Sequence, residues 1–285
     1  MNFLSSCFGS GSKVNLNSQE EEESPQLTVK PSDEEIIRYE NELRNEQAAQ
    51  GPLVSPLLPL SILHDEFPDT NFALKLDLLN SKHQFVEVRK CRRDGNCFYR
   101  AVAFDLIETF KMDPQGSIQK YQEIWKDQLK AVGFEPVIYE DFSEAFWSYL
   151  DNGNLDISLQ EAWESDEYTS NMALMLLRLL TSAHIRTNPD DYLAFIELAP
   201  QDSNSIVKWC ERSVDAVGVD ADQVQLIALA KSLQIEIVVA NLGSGLEWDD
   251  LQVTEFDFRA SQDDPIVNVL YRPGHYDLLY KKQTQ

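Results

Sequence analysis

Asp94-Gly95-Asn96-Cys97-Phe98-Tyr99-Arg100-Ala101 is polar and turn-prone up to the cysteine. It is apolar after it, through Val102, Phe104, Leu106 and Ile107. Glycine and asparagine tolerate backbone angles that other residues resist, so Gly95-Asn96 predicts a tight turn with a helix starting at or near Cys97. A cysteine in a first helical turn meets unpaired N–H groups and the positive end of the helix dipole, which favour its thiolate. The same N–H groups can hold an oxyanion. A buried, inert cysteine at a helix start is nevertheless the commoner case. Just upstream, Gln84-Phe85-Val86-Glu87-Val88-Arg89 alternates and predicts a strand. The cysteine therefore sits at the junction of a strand–loop–helix unit.

A second stretch lies far downstream: Val269-Leu270-Tyr271-Arg272-Pro273-Gly274-His275-Tyr276-Asp277-Leu278-Leu279-Tyr280. Two apolar runs flank Pro273-Gly274, which reads as a β-hairpin turn. Side chains alternate along a strand, so His275, Asp277 and Leu279 share a face, with neighbours on that face roughly 6.5–7 Å apart. A histidine and a carboxylate at this spacing can hydrogen-bond. Asp277 would then hold Nδ1 and leave Nε2 for a thiol. The plainer reading is an edge strand whose histidine and aspartate face water. His64 and His83 precede Cys97 and have no carboxylate so placed, and His184 reads as a capping or packing residue.

Together, Arg93 to Ala101 and Tyr271 to Asp277 resemble the otubains, a branch of the ovarian-tumour-type cysteine deubiquitinases. Leu53-Val54-Ser55 with Leu60-Ser61-Ile62-Leu63, and Gln225 to Ala230, extend the similarity, which runs from about Glu34 to Lys281. The resemblance implies a papain-like α+β fold, a small, mainly antiparallel sheet between helical layers. The scarcity of strands outside the C-terminal third independently argues for α+β.

The resemblance also implies a chemistry. Cys97 would attack the carbonyl at the C-terminus of ubiquitin, His275 would move the proton, and Asp277 would hold His275. Backbone N–H groups around Asp94, Gly95 and Cys97 would carry the oxyanion. The family pattern makes Asp94 an active-site residue, acting by its side chain or by shaping the loop. Expected partners are ubiquitin and polyubiquitin, lysine-forty-eight-linked chains in particular, and ubiquitin-conjugating enzymes, which an N-terminal helix could contact. No cofactor or metal is required. The rival reading is a non-catalytic binder that inhibits ubiquitin-conjugating enzymes. A cysteine acyltransferase would share the nucleophile and base but need an acceptor other than water.

Composition narrows the class further. Among 285 residues, 48 acidic side chains outnumber 24 lysines and arginines, for a net charge of −24. Such a chain is a poor ligand for a nucleic-acid phosphate backbone. Cys7, Cys91, Cys97 and Cys210 match no zinc spacing, and four free thiols suit a reducing compartment. The expected location is the cytoplasm, with the nucleus as an additional one. No apolar run is long enough to span a membrane: Met172 to Leu180 is broken by Arg178.

Along the chain, residues 1–31 read as a disordered acidic tail and 32–285 as the catalytic domain. Ser32 caps a helix running to about Gln50. Residues 53–68 are expected to drape over the core, and 71–79 to form a helix. The stretch 113–200 is expected to be mostly helical, 201–222 a polar surface loop, and 223–233 a helix. A central strand is expected over 235–240, irregular chain over 246–264, and a hairpin from Ile266-Tyr271 and His275-Tyr280.

Overall fold

A computed structural model describes residues 51–66, 70–112, 118–151, 157–198, 205–243 and 251–282. The acidic tail and the Ser32-capped helix lie outside the described residues. In chain order the elements are β1 (Leu58–Pro59), α1 (Ile62–Glu66), α2 (Thr70–His83), β2 (Phe85–Arg89), α3 (Cys97–Met112) and α4 (Ile118–Ala131). There follow α5 (Pro136–Asp151), α6 (Leu159–Ser165), α7 (Glu167–Thr187), a short 3-10 turn (Pro189–Asp191), α8 (Ile206–Ser213) and α9 (Gln223–Leu233). The last four strands are β3 (Glu236–Asn241), β4 (Gln252–Asp257), β5 (Ile266–Arg272) and β6 (His275–Lys281).

The six strands form one sheet in the order β1-β2-β6-β5-β3-β4. Its pairings are antiparallel except for β3 with β5, which run parallel while β4 pairs with β3 on the outer side. The sheet is thus α+β and mainly antiparallel, with one parallel seam. Period-two alternation sorts its side chains into two cores. Ile237, Val239, Val267, Val269 and Leu278 face the core built on α3 and α7. Val238, Ala240, Leu270 and Leu279 face Leu76 and Leu79 of α2 on the opposite side.

The helix that begins at Cys97 is buried along its whole first three turns, Arg100 and Asp105 included. A helix buried all round is a core helix, so the position of Cys97 is fixed by packing on every side. The long α7 is buried at most positions from Ala173 to Ile185, Met175 and His184 being half-buried, with its arginine, Arg178, fully inside.

Three expected boundaries change. The stretch 201–222 contains a helix, α8, whose Ser205 hydroxyl accepts from Lys208 N and which buries Trp209 and Cys210. Only one narrow stripe of it is apolar, so its polar surface read as loop. The stretch 246–264 contains β4, an edge strand with half-buried Val253 and Phe256 among exposed polar residues. Residues 53–68 carry β1 and α1, although only two residues of β1 pair with β2. The remaining elements lie where periodicity places them, α9 to the residue, with a capping box between Asp222 and Gln225.

Candidate active site

Cys97 is the first residue of α3, and the loop delivering it is held by several hydrogen bonds. Gly95 adopts φ +72°, and a Cβ there would stand 2.0 Å from the Gly218 carbonyl oxygen. Both the left-handed backbone and the close approach of the 218 segment exclude a side chain. The Gly95 carbonyl accepts from Arg178 Nη2 at 3.1 Å. At the other end of the same peptide, Asn96 N–H donates to Asp94 Oδ1 at 3.0 Å. Asp94 Oδ2 in turn pairs with the buried guanidinium of Arg100. The Asn96 side chain joins the two loops: its Oδ1 accepts from Arg178 Nη2 at 2.7 Å and from Gly218 N at 2.9 Å.

Asp94 therefore shapes the loop with its side chain. Its own N–H donates to Arg92 O at 3.1 Å. Of the three amides expected to meet an oxyanion, that one is committed, which leaves those of Gly95 and Cys97.

At the other end of the chain, Pro273 and Gly274 form a two-residue turn, with Gly274 at φ +70° and Arg272 paired in register with His275. His275 and Asp277 meet as their shared strand face requires, but through the other ring nitrogen than expected. Nε2 lies 2.8 Å from Asp277 Oδ1, while Nδ1 is buried without a hydrogen-bond partner. Asp277 is fully buried, and its Oδ1 also accepts from Cys91 N at 2.9 Å while Oδ2 pairs with Arg272. Burial pushes Asp277 upward. The hydrogen bond and charge of His275, Arg272 and the Cys91 amide outweigh burial and hold it below the usual carboxylate range. Asp277 is thus a fixed anion that orients the imidazole and leaves Nδ1 for a thiol.

Cys97 and His275 line separate spaces. Cys97 opens on a groove of about 270 Å³ with Asp220, Ala221, Asp222, Tyr271, Gly274 and Tyr276. His275 and Asp277 line a cavity of about 460 Å³ with Cys91, Arg93 and Arg272. Strand alternation explains the split, because it is Tyr276, the neighbour of His275, whose ring packs against Phe98 of α3 at 5.2 Å. No hydrogen bond joins Cys97 to His275 among the described residues. Burial pushes the Cys97 thiol up to about 12; the Tyr276 backbone amide opposes this, and Asp220, Asp277 and Asp94 add to it. Burial and three carboxylates thus work against the thiolate that a helix terminus favours.

Of the four cations at positions 89, 90, 92 and 93 beside the loop, Arg89, Lys90 and Arg92 are paired with other carboxylates. Arg89 bonds Glu108 at 3.1 Å, Lys90 pairs with Glu66, and Arg92 reaches Glu167 at 2.7 Å. His64 sits 3.5 Å from Asp77, and His184 packs edge-on against Tyr192, with burial holding it down at about 4. The site residue missed in the sequence is Arg178, read there only as an interruption in an apolar helix. That interruption was the available signal, since a buried guanidinium must find acceptors. Among the described residues no group of three or more His, Cys, Asp or Glu could hold a metal ion, and no helix is long and apolar enough to cross a membrane.

Comparison with known proteins bears on this geometry. The family model described as Peptidase C65 Otubain matches residues 46–281. The human ubiquitin thioesterase OTUB1 is 32% identical over 256 residues, covering 87% of this chain and 90% of its own. An otubain-like ubiquitin thioesterase of Caenorhabditis elegans is 29% identical over 272 residues, covering 89% and 90%. A solved h/ceOTUB1 complex with ubiquitin aldehyde and UBCH5B~Ub superposes at a TM-score of 0.73 with 27% identity, over 88% of this chain and 98% of that one. A ceOTUB1 complex with ubiquitin aldehyde and UBC13~Ub gives 0.72 with 27% identity, over 88% and 100%.

Proposed function

Because the chain belongs to the otubain family of cysteine deubiquitinases, we propose that it cleaves the isopeptide bond at the ubiquitin C-terminus, with Cys97 as nucleophile and His275 as base. The observation that carries this assignment is the buried Nε2 bond from His275 to Asp277, which leaves Nδ1 with no other hydrogen-bond partner. Cys97 Sγ attacks the carbonyl carbon as Nδ1 takes the thiol proton. The Gly95 and Cys97 amides hold the oxyanion, a contribution worth roughly 2.7–4 kcal/mol per donor. His275 then protonates the departing lysine amine, and water hydrolyses the thioester. Proton transfer requires Nδ1 and Sγ to come into contact, so substrate binding closes the gap between the two spaces. The acidic pair Asp220 and Asp222 on the Cys97 groove suits a basic peptide tail.

Lysine-forty-eight-linked polyubiquitin is the substrate class inferred from the family, and the cytoplasm the compartment inferred from the free thiols. The test is a panel of differently linked di-ubiquitins with wild type, Cys97→Ala and His275→Ala. Cleavage by wild type and silence from both variants is the expected result. Cleavage surviving in Cys97→Ala would remove the nucleophile assignment, and a preference for another linkage would remove the substrate class.

A second role is favoured by the superposed complexes, which hold UBC13~Ub or UBCH5B~Ub. In that role the protein binds a charged ubiquitin-conjugating enzyme and blocks transfer without cleavage. Cys97→Ala would then inhibit chain synthesis as strongly as wild type, whereas loss of inhibition in this variant would exclude it.

A further inference from the structure

We propose that Arg178 is a positioning residue for catalysis, holding the Gly95–Asn96 peptide so that the neighbouring amides face the oxyanion. The inference rests on the deubiquitinase reading above and deepens it.

A trans peptide is a rigid plate with its C=O and N–H on opposite edges. Beside a glycine such a plate turns cheaply, because no Cβ obstructs it. Here both edges are tied by charged groups of opposite sign. Arg178 Nη2 donates to the Gly95 carbonyl, and the Asp94 carboxylate, itself paired with Arg100, accepts from Asn96 N–H. A half-turn of the plate would set the carbonyl against the carboxylate and the N–H against the guanidinium. One orientation is therefore specified and the other excluded.

The next amide along is that of Cys97, whose direction follows from the conformation of Asn96. Asn96 is also held through its side chain, which accepts from Arg178 Nη2 at 2.7 Å and from Gly218 N at 2.9 Å. The same guanidinium reaches the facing segment, donating from Nη1 to Val214 O and from Nη2 to Val219 O, both at 2.9 Å. Asp220, next to Val219, lines the Cys97 groove. Arg178 thus fixes the loop under the nucleophile and the wall opposite it. Its Cζ lies 4.3 Å from the centroid of the Tyr99 ring, which orients the planar fork. An ammonium lacks that fork and cannot serve acceptors on two sides. Filling the space alone would need only an apolar side chain of similar length, and burying a charge is costly unless it is paired or hydrogen-bonded, as Arg178 is here.

The test compares full-length wild type, Arg178→Met and Arg178→Lys by four readouts. These are kcat and KM on a ubiquitin fluorogenic amide, affinity for ubiquitin aldehyde, affinity for unmodified ubiquitin, and the rate of Cys97 alkylation by iodoacetamide. The aldehyde adds to Cys97 and places an oxygen where the oxyanion forms; unmodified ubiquitin does not. Arg178→Met should lose about 100-fold in kcat and in aldehyde affinity, the range seen when an oxyanion donor is lost. KM, unmodified-ubiquitin affinity and alkylation should stay within about threefold, and Arg178→Lys should recover part of the loss. A kcat within threefold of wild type overturns the inference, as does an equal loss of aldehyde and plain ubiquitin binding.

Should Arg178→Met lack a cooperative melting transition, Asn96→Ala removes the side-chain oxygen that holds Arg178 Nη2 beside the same plate and is judged by the same split. A wild type that neither cleaves nor captures ubiquitin aldehyde sinks the deubiquitinase reading and this inference with it. An active wild type beside an unimpaired Arg178→Met sinks this inference alone.

Discussion

Gly95 and Gly274 both adopt positive φ, at +72° and +70°, but only at Gly95 does a Cβ have nowhere to go. At Gly274 nothing lies within 4 Å, so alanine strains the backbone alone, at about 1–2 kcal/mol. At Gly95 the added Cβ also collides with the Gly218 backbone, and the cost should exceed that at Gly274 by about 2 kcal/mol or more. Urea denaturation of the two alanine variants measures the difference, and equal losses would contradict the close contact. Cys97 offers a second test at this scale. With its thiol pushed up to about 12, alkylation should climb about tenfold per pH unit between pH 7 and 10 without levelling. Asp220→Asn removes a negative charge that disfavours the thiolate, so it should speed alkylation at fixed pH. A plateau near pH 8 would mean that the helix terminus prevails over burial. Turn chemistry at Gly95 is readable from residue type. The protonation of Cys97 is not, because Asp220 and Tyr276 come from distant parts of the chain.

Helix α3 carries an acidic residue into the core. Burial raises Asp105 to about 8; Glu108 adds to the effect and Arg89 opposes it. Its folded value thus lies above the unfolded one, so the native state holds the extra proton between roughly pH 4 and 8. Asp105 is compatible with full stability below that window, and stability declines as pH rises through it. Asp105→Asn keeps the shape of the neutral form and cannot ionise. Its melting temperature relative to wild type should therefore be distinctly more favourable at pH 8 than at pH 5, and a pH-independent difference would show that Asp105 is ionised in place. Among elements, those with strong periodicity or caps are legible: α9 by its capping box, α7 by its apolar run, β6 by the turn before it. The misses are α8 and β4, which bury one narrow side each. For such elements the apolar signal is diluted by solvent-facing polar residues.

At the scale of the whole molecule, β6 carries His275 and Asp277 yet lies inside the sheet, between β2 and β5. Strand β6 thus ties the N-terminal strands to the rest, and its His275 end, paired with Arg272 of β5, cannot open without unpairing the sheet. Amide hydrogen exchange should be slowest in β5, β6 and the first turns of α3, and fastest in β4 and β1 at the two edges. Fast exchange in β6 would mean that the His275 end opens locally. The two groups assigned to proton transfer therefore sit on rigid elements, and any closing of the gap between them falls to side-chain rotation or to the turn at Pro273-Gly274.

What the sequence determined on its own is whatever depends on near neighbours. A polar turn followed by an apolar run sets Cys97 at a helix start, and period two brings His275 and Asp277 to one face. The matched pair of end segments was enough to imply the family. What only the tertiary structure decided depends on atoms brought together across the chain. Arg178 reaches the Gly95 carbonyl from 83 positions away, and Asp277 holds Cys91 N across 186. Contacts of this kind choose the ring nitrogen left for the thiol and commit Asp94 to the loop, while burial and carboxylates from distant positions disfavour the Cys97 thiolate. Hydrogen bonds and desolvation act over a few ångströms of space, whatever the separation in sequence.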